Sequence, residues 1–337
     1  MSGHSLVLGD GGWGMAIALS LHRAGRRVKV WGYDPAYTAE VAASRDNRKF
    51  LPGIPIPEDI LWTSDHEAAV AEVDEVYSVV PTQFLRGTLE GFVGRLDGLP
   101  IYSASKGLEL STLLRPTEIL AAVLGGPERM GVVSGPSHAE ETAHGLATSV
   151  VAAAADEELA ARAQAHLSSD ALRVYTSRDL LGVELGGALK NIIALGAGIA
   201  DGLGLGDNAK AALVSRGLVE MARFGEAQGA HRETFFGLSG AGDLMVTCYS
   251  RHSRNRSLGE ALGRGESLDD ILARSEKVAE GVWTCKAIQG AAEGLGIEMP
   301  ITGQVHAILF EGVSPQDAVR ELMTRPAKAE RDPRALP

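Results

Sequence analysis

Lys190 is the one formal charge in Leu185–Ala200, a run otherwise built almost wholly of apolar or small residues, with Asn191 directly after it. The surrounding stretch, VELGGALKNIIALGAGIAD from Val183 to Asp201, has the length and composition of a buried helix. A lysine inside such a helix is costly unless it is paired or faces a wet cavity. Its neighbours at helical spacing are Gly186, Gly187, Ile193, Ala194 and Ala197, and small residues there leave room for another backbone or a ligand. On this stretch alone two readings stand level: a structural lysine snorkelling out of the core, or a lysine that does chemistry. A membrane span is a third reading, set aside because glycines and a lysine interrupt the run and no second span exists.

Three other places carry comparable side chains. Lys106 sits in SASKG and, read alone, is an exposed loop lysine. Asp243 lies in the glycine-rich GLSGAGDL, where a helix N-cap is the simplest role. Ser250–Arg256, SRHSRNR, packs three arginines into six residues of an acidic protein. It is either a solvated helix start or a phosphate site, since arginine with serine and asparagine offers charge-assisted and neutral donors together. Taken jointly, a carbonyl held by cations beside a hydride donor can be reduced, with a lysine giving the proton and an anchored phosphate fixing the pose.

The elements that would position these groups begin with a glycine turn. Leu6–Leu8 is a short strand, followed by Gly9-Asp10-Gly11-Gly12-Trp13-Gly14, a helical pattern to Gly25, and a second strand at Val28–Trp31. In this strand–turn–helix–strand setting the G-x-G-x-x-G spacing points to a dinucleotide. Gly9 makes the tight turn, Gly11 lets a pyrophosphate approach, and Gly14 lets the helix pack on the strand. Past the second strand stand Gly32, Tyr33 and Asp34, and Arg45, Arg48 and Lys49 follow nearby, so NADP is permitted as well as NAD.

Further parallel strands are expected at Glu75–Val80, Leu99–Ser103 and Met130–Ser134, with Val150–Ala154 and Leu172–Tyr175 closing the sheet. Ligands bind outside the carboxyl ends of such strands, which puts Pro81, Lys106 and Ser137 on one rim with Gly11. After about Asp179 the pattern becomes helical, over 183–200, 208–228, 257–263, 267–274, 284–295, 302–311 and 314–324. The expected fold class is therefore α/β: a doubly wound Rossmann-type domain over 1–180 and an all-helical substrate domain over 181–337, ending in a frayed tail from Ala327.

Composition narrows the rest. The 337 residues carry a net charge of −11, which argues against nucleic acid or an acidic membrane surface as partner. Cys248 and Cys285 form no Cys-x-x-Cys pair, and no metal-ligand spacing is visible, so neither a disulfide scaffold nor a metal is expected. The amino terminus runs straight into a strand without a signal-peptide pattern, and a cytoplasmic protein is expected.

The chain resembles bacterial NAD(P)-dependent glycerol-3-phosphate dehydrogenase in VLGDGGWGMAIA, WGYDP, FLPGIPIP, VVPTQ, SASKGLE, VSGPSHAEE, GVELGGALKNIIALGAGIADGLGLGDNAKAAL, GLSGAGDLMVTC, SRNR, VAEG and EMPIT, in family order and over nearly its whole length. The resemblance implies interconversion of dihydroxyacetone phosphate and sn-glycerol 3-phosphate, feeding phospholipid synthesis. It makes Lys190 the proton donor and acceptor at C2, Lys106 a contact to substrate and cofactor, and Asp243 the carboxylate beside them. It places Gly135 and Ser137 against substrate, and Ser253, Arg254 and Asn255 at its phosphate, Arg254 also touching the cofactor. It places Gly12, Trp13, Tyr33, Ala139, Val278 and Glu280 against the cofactor. Tyr33 stands where relatives often carry histidine or arginine, which leaves NAD versus NADP open; Asp10, where alanine is common, adds a negative charge near the phosphates and points the same way. A related β-hydroxyacid dehydrogenase and a non-catalytic nucleotide sensor are the alternatives, and a homodimer is possible.

Overall fold

The computed structural model describes residues 3–274, 280–327 and 329–330. Ten strands appear in it: β1 (His4–Leu8), β2 (Arg27–Trp31), β3 (Asp46–Asn47), β4 (Leu51–Pro55), β5 (Leu61–Thr63), β6 (Val73–Ser78), β7 (Ile101–Ser103), β8 (Met130–Ser134), β9 (Thr148–Ala154) and β10 (Leu172–Ser177). Eight of them form one sheet in the order β10-β9-β8-β7-β6-β1-β2-β5, while β3 and β4 pair in a separate ribbon. The reversal of strand order on either side of β1 is the switch point of a doubly wound sheet, with the glycine turn at its carboxyl edge.

The sheet departs from the parallel expectation at one seam. β9 runs antiparallel to β8, and β10 is then parallel to β9. Between β8 and β9 the chain holds only the short helix Ala139–Ala143. That is too little to carry a strand back for a parallel start, so the chain turns and pairs antiparallel. The expected strand at Glu75–Val80 begins earlier, at Val73, and stops at Ser78. Val79 still donates to the Leu8 carbonyl, but the chain then turns at Pro81 into the helix Thr82–Glu90. β3, β4 and β5, two to five residues each, lack a periodic signal of their own.

After β10 the described residues form helices, with no further strand among them. The helix Leu180–Gly202 is the axis of this half, buried from Gly182 through Ala200. It is the one helix among the described residues long and apolar enough to cross a membrane, yet 89% of its most apolar window is covered by the protein itself, as in a core helix. Asp179 caps it, accepting from Gly182 N at 2.8 Å, and its other carboxylate oxygen accepts from His231 N and Thr234 Oγ1. The helix Arg254–Gly263 crosses it backbone to backbone. A Cβ on Gly198 would overlap the Arg256 carbonyl, and one on Gly259 the Leu195 carbonyl. This close crossing seats Ser253–Asn255 directly against the helix that carries Lys190.

Candidate active site

Lys190 is not a snorkelling lysine. Its Nζ donates to Asp243 Oδ1 and to Thr247 Oγ1, each at 2.6 Å, and its side chain is only 8% exposed. Lys106 Nζ donates to the other oxygen of the same carboxylate, Oδ2, also at 2.6 Å. One carboxylate thus bridges a lysine from the sheet rim and a lysine from the central helix, 137 and 53 residues away in sequence.

Asp243 does not act as an N-cap. The segment Leu238–Gly242 winds as a π-helical turn that runs into the helix Asp243–Tyr249, so Asp243 is its first residue and its carboxylate is free to face the lysines. Thr247, one turn later, donates to the Asp243 carbonyl at 2.6 Å while accepting from Lys190. Sequence reading missed Thr247; its i+4 spacing from Asp243 was the available signal.

The charges are mutually adjusted. Burial pushes Lys190 down to about 8; the Asp243 carboxylate opposes this, and the neighbouring Lys106 cation adds to it. Burial raises the proton affinity of Asp243, but the charges and hydrogen bonds of Lys106 and Lys190 outweigh it and hold the carboxyl below its ordinary range. Glu280 is raised by burial, with Arg254, Lys106 and Lys190 pulling the other way, which ties it electrically to the same centre.

The phosphate-type segment lies alongside. Ser253 Oγ accepts from Arg256 N at 3.2 Å and so caps the helix that Arg254 and Asn255 begin. Asn255 Nδ2 donates to Asn191 Oδ1 at 2.9 Å, and its own Oδ1 accepts from Gly281 N at 3.1 Å. Arg256 is directed inward instead, onto Asp201 at 2.6 Å and the Ser250 carbonyl at 3.1 Å. From the sheet side, Gly135 follows β8 with φ +148°, and Ser137 Oγ donates to its carbonyl at 2.8 Å. Pro136 abuts Gly242, immediately before Asp243. A small cavity between Pro81, Thr82, Glu280 and Trp283 opens beside Lys106.

The glycine turn has the form of a dinucleotide cradle. Gly9 has φ +112°, a Cβ on Gly14 would overlap the Gly9 carbonyl, and a Cβ on Gly11 would meet nothing within 4 Å. The helix Gly12–Arg23 starts there with no side-chain cap, leaving its first N–H groups and positive dipole end to face that open side. Ala139 packs beside Gly12, Trp13 packs into the core behind the turn, and Tyr33 is 79% exposed just past β2. These residues fit a dinucleotide pyrophosphate. Val278 lies outside the described residues. Among the described residues no cluster of three or more His, Cys, Asp or Glu side chains is arranged to hold a metal.

A glycine turn with the form of a dinucleotide cradle at a sheet switch point, in the same chain as a lysine pair on a buried carboxylate, is the arrangement of a dinucleotide-dependent dehydrogenase. The chain matches the family model for the N-terminus of NAD-dependent glycerol-3-phosphate dehydrogenase over residues 6–160 and that for its C-terminus over 179–320, and it belongs to this family. It is 46% identical to glycerol-3-phosphate dehydrogenase [NAD(P)+] of Chlorobium limicola, over 97% of this chain and 99% of the relative. It is 46% identical to the enzyme of the same name from Geobacter metallireducens, over 96% and 98%. The crystal structure of glycerol-3-phosphate dehydrogenase from Coxiella burnetii superposes with a TM-score of 0.91 at 38% identity, covering 96% of this chain and 99% of that one.

Proposed function

We propose that the protein interconverts dihydroxyacetone phosphate and sn-glycerol 3-phosphate with NAD(P)H, and so supplies glycerol phosphate for phospholipid synthesis. The observation that carries this reading is the double hydrogen bond of Lys190 and Lys106 to the two oxygens of Asp243, beside a phosphate-type segment and a dinucleotide cradle. Residues 1–180 would hold the dinucleotide and 181–337 the substrate.

When bound, the nicotinamide would supply the hydride to C2 in reduction and take it back in oxidation. Lys190 gives its ammonium proton to the C2 oxygen during reduction and recovers it during oxidation; a group lowered to about 8 can do both near neutral pH. Asp243 and Thr247 hold the Lys190 nitrogen in place. Lys106, bonded to the other oxygen of Asp243, offsets its charge and stabilises negative charge developing on the C2 oxygen. Ser253, Arg254 and Asn255 bind the substrate phosphate, with Gly135 and Ser137 bounding the opposite side.

NADH and NADPH oxidation with dihydroxyacetone phosphate, run side by side with a panel of 2-keto and 3-keto acids, tests the reading. Turnover with the triose phosphate alone is expected; turnover with a keto acid instead would move the assignment to the β-hydroxyacid dehydrogenases. We further propose a cytoplasmic homodimer. Its support is the exposed apolar set Leu205, Phe236, Met245 and Tyr249 on the helical half, and light scattering of the purified protein checks it.

A further inference from the structure

We propose that the Asp10 carboxylate, arriving from the glycine turn, reads the adenine ribose and makes this protein prefer NAD to NADP, an inference that rests on the dinucleotide site proposed above. In the usual βαβ dinucleotide unit, the carboxylate that accepts the ribose 2′-hydroxyl stands near the end of the second strand. Here β2 ends at Trp31, and Gly32 follows with no side chain. A Cβ on Gly32 would collide with Asp10 Oδ2 and Thr38 Oγ1. Those two atoms therefore fill the space into which a side chain at the strand end would project. The carboxylate reaches the ribose corner from a different part of the chain.

The turn that carries Asp10 is pinned on both sides. Gly9 N donates to the Trp31 carbonyl at 2.9 Å, and Asn47 Nδ2 donates to the Asp10 carbonyl at 2.7 Å. Thr38 supplies an independent sign that a ligand group belongs at this corner. Its hydroxyl is in a residue only 2% exposed and has no hydrogen-bond partner, a costly state that a ribose hydroxyl would relieve. Asp34, the next carboxylate along the strand exit, caps the following helix through Oδ1, which accepts from Ala36 N and Tyr37 N.

Two of the three nearby basic side chains are bonded to protein acceptors, and the third, Lys49, acts on Asp10 through its charge. Arg45 donates to the carbonyls of Ile60 and Glu58, at 2.8 and 3.1 Å. Arg48 pairs with Asp46 at 3.0 Å, and the Lys49 ammonium lies over the Phe50 and Tyr37 rings. A 2′-phosphate would bring roughly two negative charges against the Asp10 carboxylate. A 2′-hydroxyl would donate a charge-assisted hydrogen bond to it.

The test is equilibrium binding, by nicotinamide fluorescence for NADH and NADPH and by calorimetry for ADP-ribose and its 2′-phosphate. The protein is expected to bind NADH and ADP-ribose at least about tenfold more tightly than the 2′-phosphorylated forms. In Asp10→Asn and Asp10→Ala that ratio should narrow severalfold, chiefly through tighter binding of the phosphorylated ligands. Equal affinity for both forms, or an unchanged ratio in either folded variant, would overturn the role of Asp10 alone. Binding of neither nucleotide would overturn the dinucleotide site as well.

Discussion

Lys190 Nζ and Asp243 Oδ1 are 2.6 Å apart in a setting where both side chains are at least nine-tenths buried. A buried ion pair of this kind contributes little net stability, because desolvation offsets the attraction. Its value is positional, since it fixes the Lys190 nitrogen, the proposed proton donor. Lys190→Ala should therefore lower kcat by about 10² to 10⁴-fold, the range of a positioned acid–base group, with folding preserved by circular dichroism. Near-normal kcat in a folded variant would exclude the assignment.

The proposed role of Lys190 also predicts the pH behaviour. Its proton affinity is lowered by burial to about 8, so the ammonium is filled below that pH and emptied above it. Reduction uses the filled form, and its kcat should fall as pH rises through about 8. Oxidation uses the empty form and should rise over the same interval. Rates for both directions across pH 6 to 10 at saturating substrate, about two units either side of this value, check the sign; parallel profiles would remove Lys190 as the shared group.

Arg254 stands at the first turn of its helix, directly after the capping Ser253 and before the buried Asn255. The phosphate-anchoring role proposed for it predicts a split in the kinetics. Arg254→Ala should raise KM for the triose phosphate by about 10 to 100-fold, the loss of one charge-assisted interaction, and change kcat less. A variant whose main defect is in kcat would place Arg254 at the reacting atoms instead.

What was legible in the sequence was whatever local pattern controls. The G-x-G-x-x-G turn, the long helix around Lys190 and the change from strands to helices near Asp179 each follow from spacing and composition, and the structure places them so. What was hidden depends on contacts between distant residues. Asp243 looks like a cap because an aspartate after glycines usually is one; only the π-helical turn before it frees its carboxylate for Lys106 and Lys190. The antiparallel β9 is set by a connection too short for a crossover, and Thr247 gains its role only when Lys190 arrives from 57 residues away.

The close crossing of the helices Leu180–Gly202 and Arg254–Gly263 gives a stability prediction that also reaches the site. A methyl at Gly198 would overlap the Arg256 carbonyl and crowd Glu260 N, backbone atoms that cannot move aside alone. Gly198→Ala should cost about 1–3 kcal/mol and push Ser253–Asn255 off the central helix. Chemical denaturation and KM measured on the same preparation should both worsen. A stable variant with unchanged KM would show that the crossing is looser than this packing requires.

Glu220 offers a pH effect unrelated to catalysis. Buried at the start of the helix Pro300–Phe310, it accepts from Ile301 N at 2.7 Å, Thr302 N at 3.2 Å and Thr302 Oγ1 at 3.3 Å. Burial nevertheless raises it to about 7, with those hydrogen bonds and the Arg223 charge only partly compensating. A carboxyl that binds its proton more tightly folded than unfolded stabilises the fold fully below its unfolded value near 4.5, and loses that contribution as pH rises through 7. The loss is on the order of 3 kcal/mol if the whole shift is realised. Stability by denaturant titration should thus decline from pH 5 to pH 8, and Glu220→Gln, which cannot ionise, should remove this part of the decline. If the two proteins show the same pH slope across that interval, the helix N-terminus solvates the Glu220 anion well enough to cancel its burial.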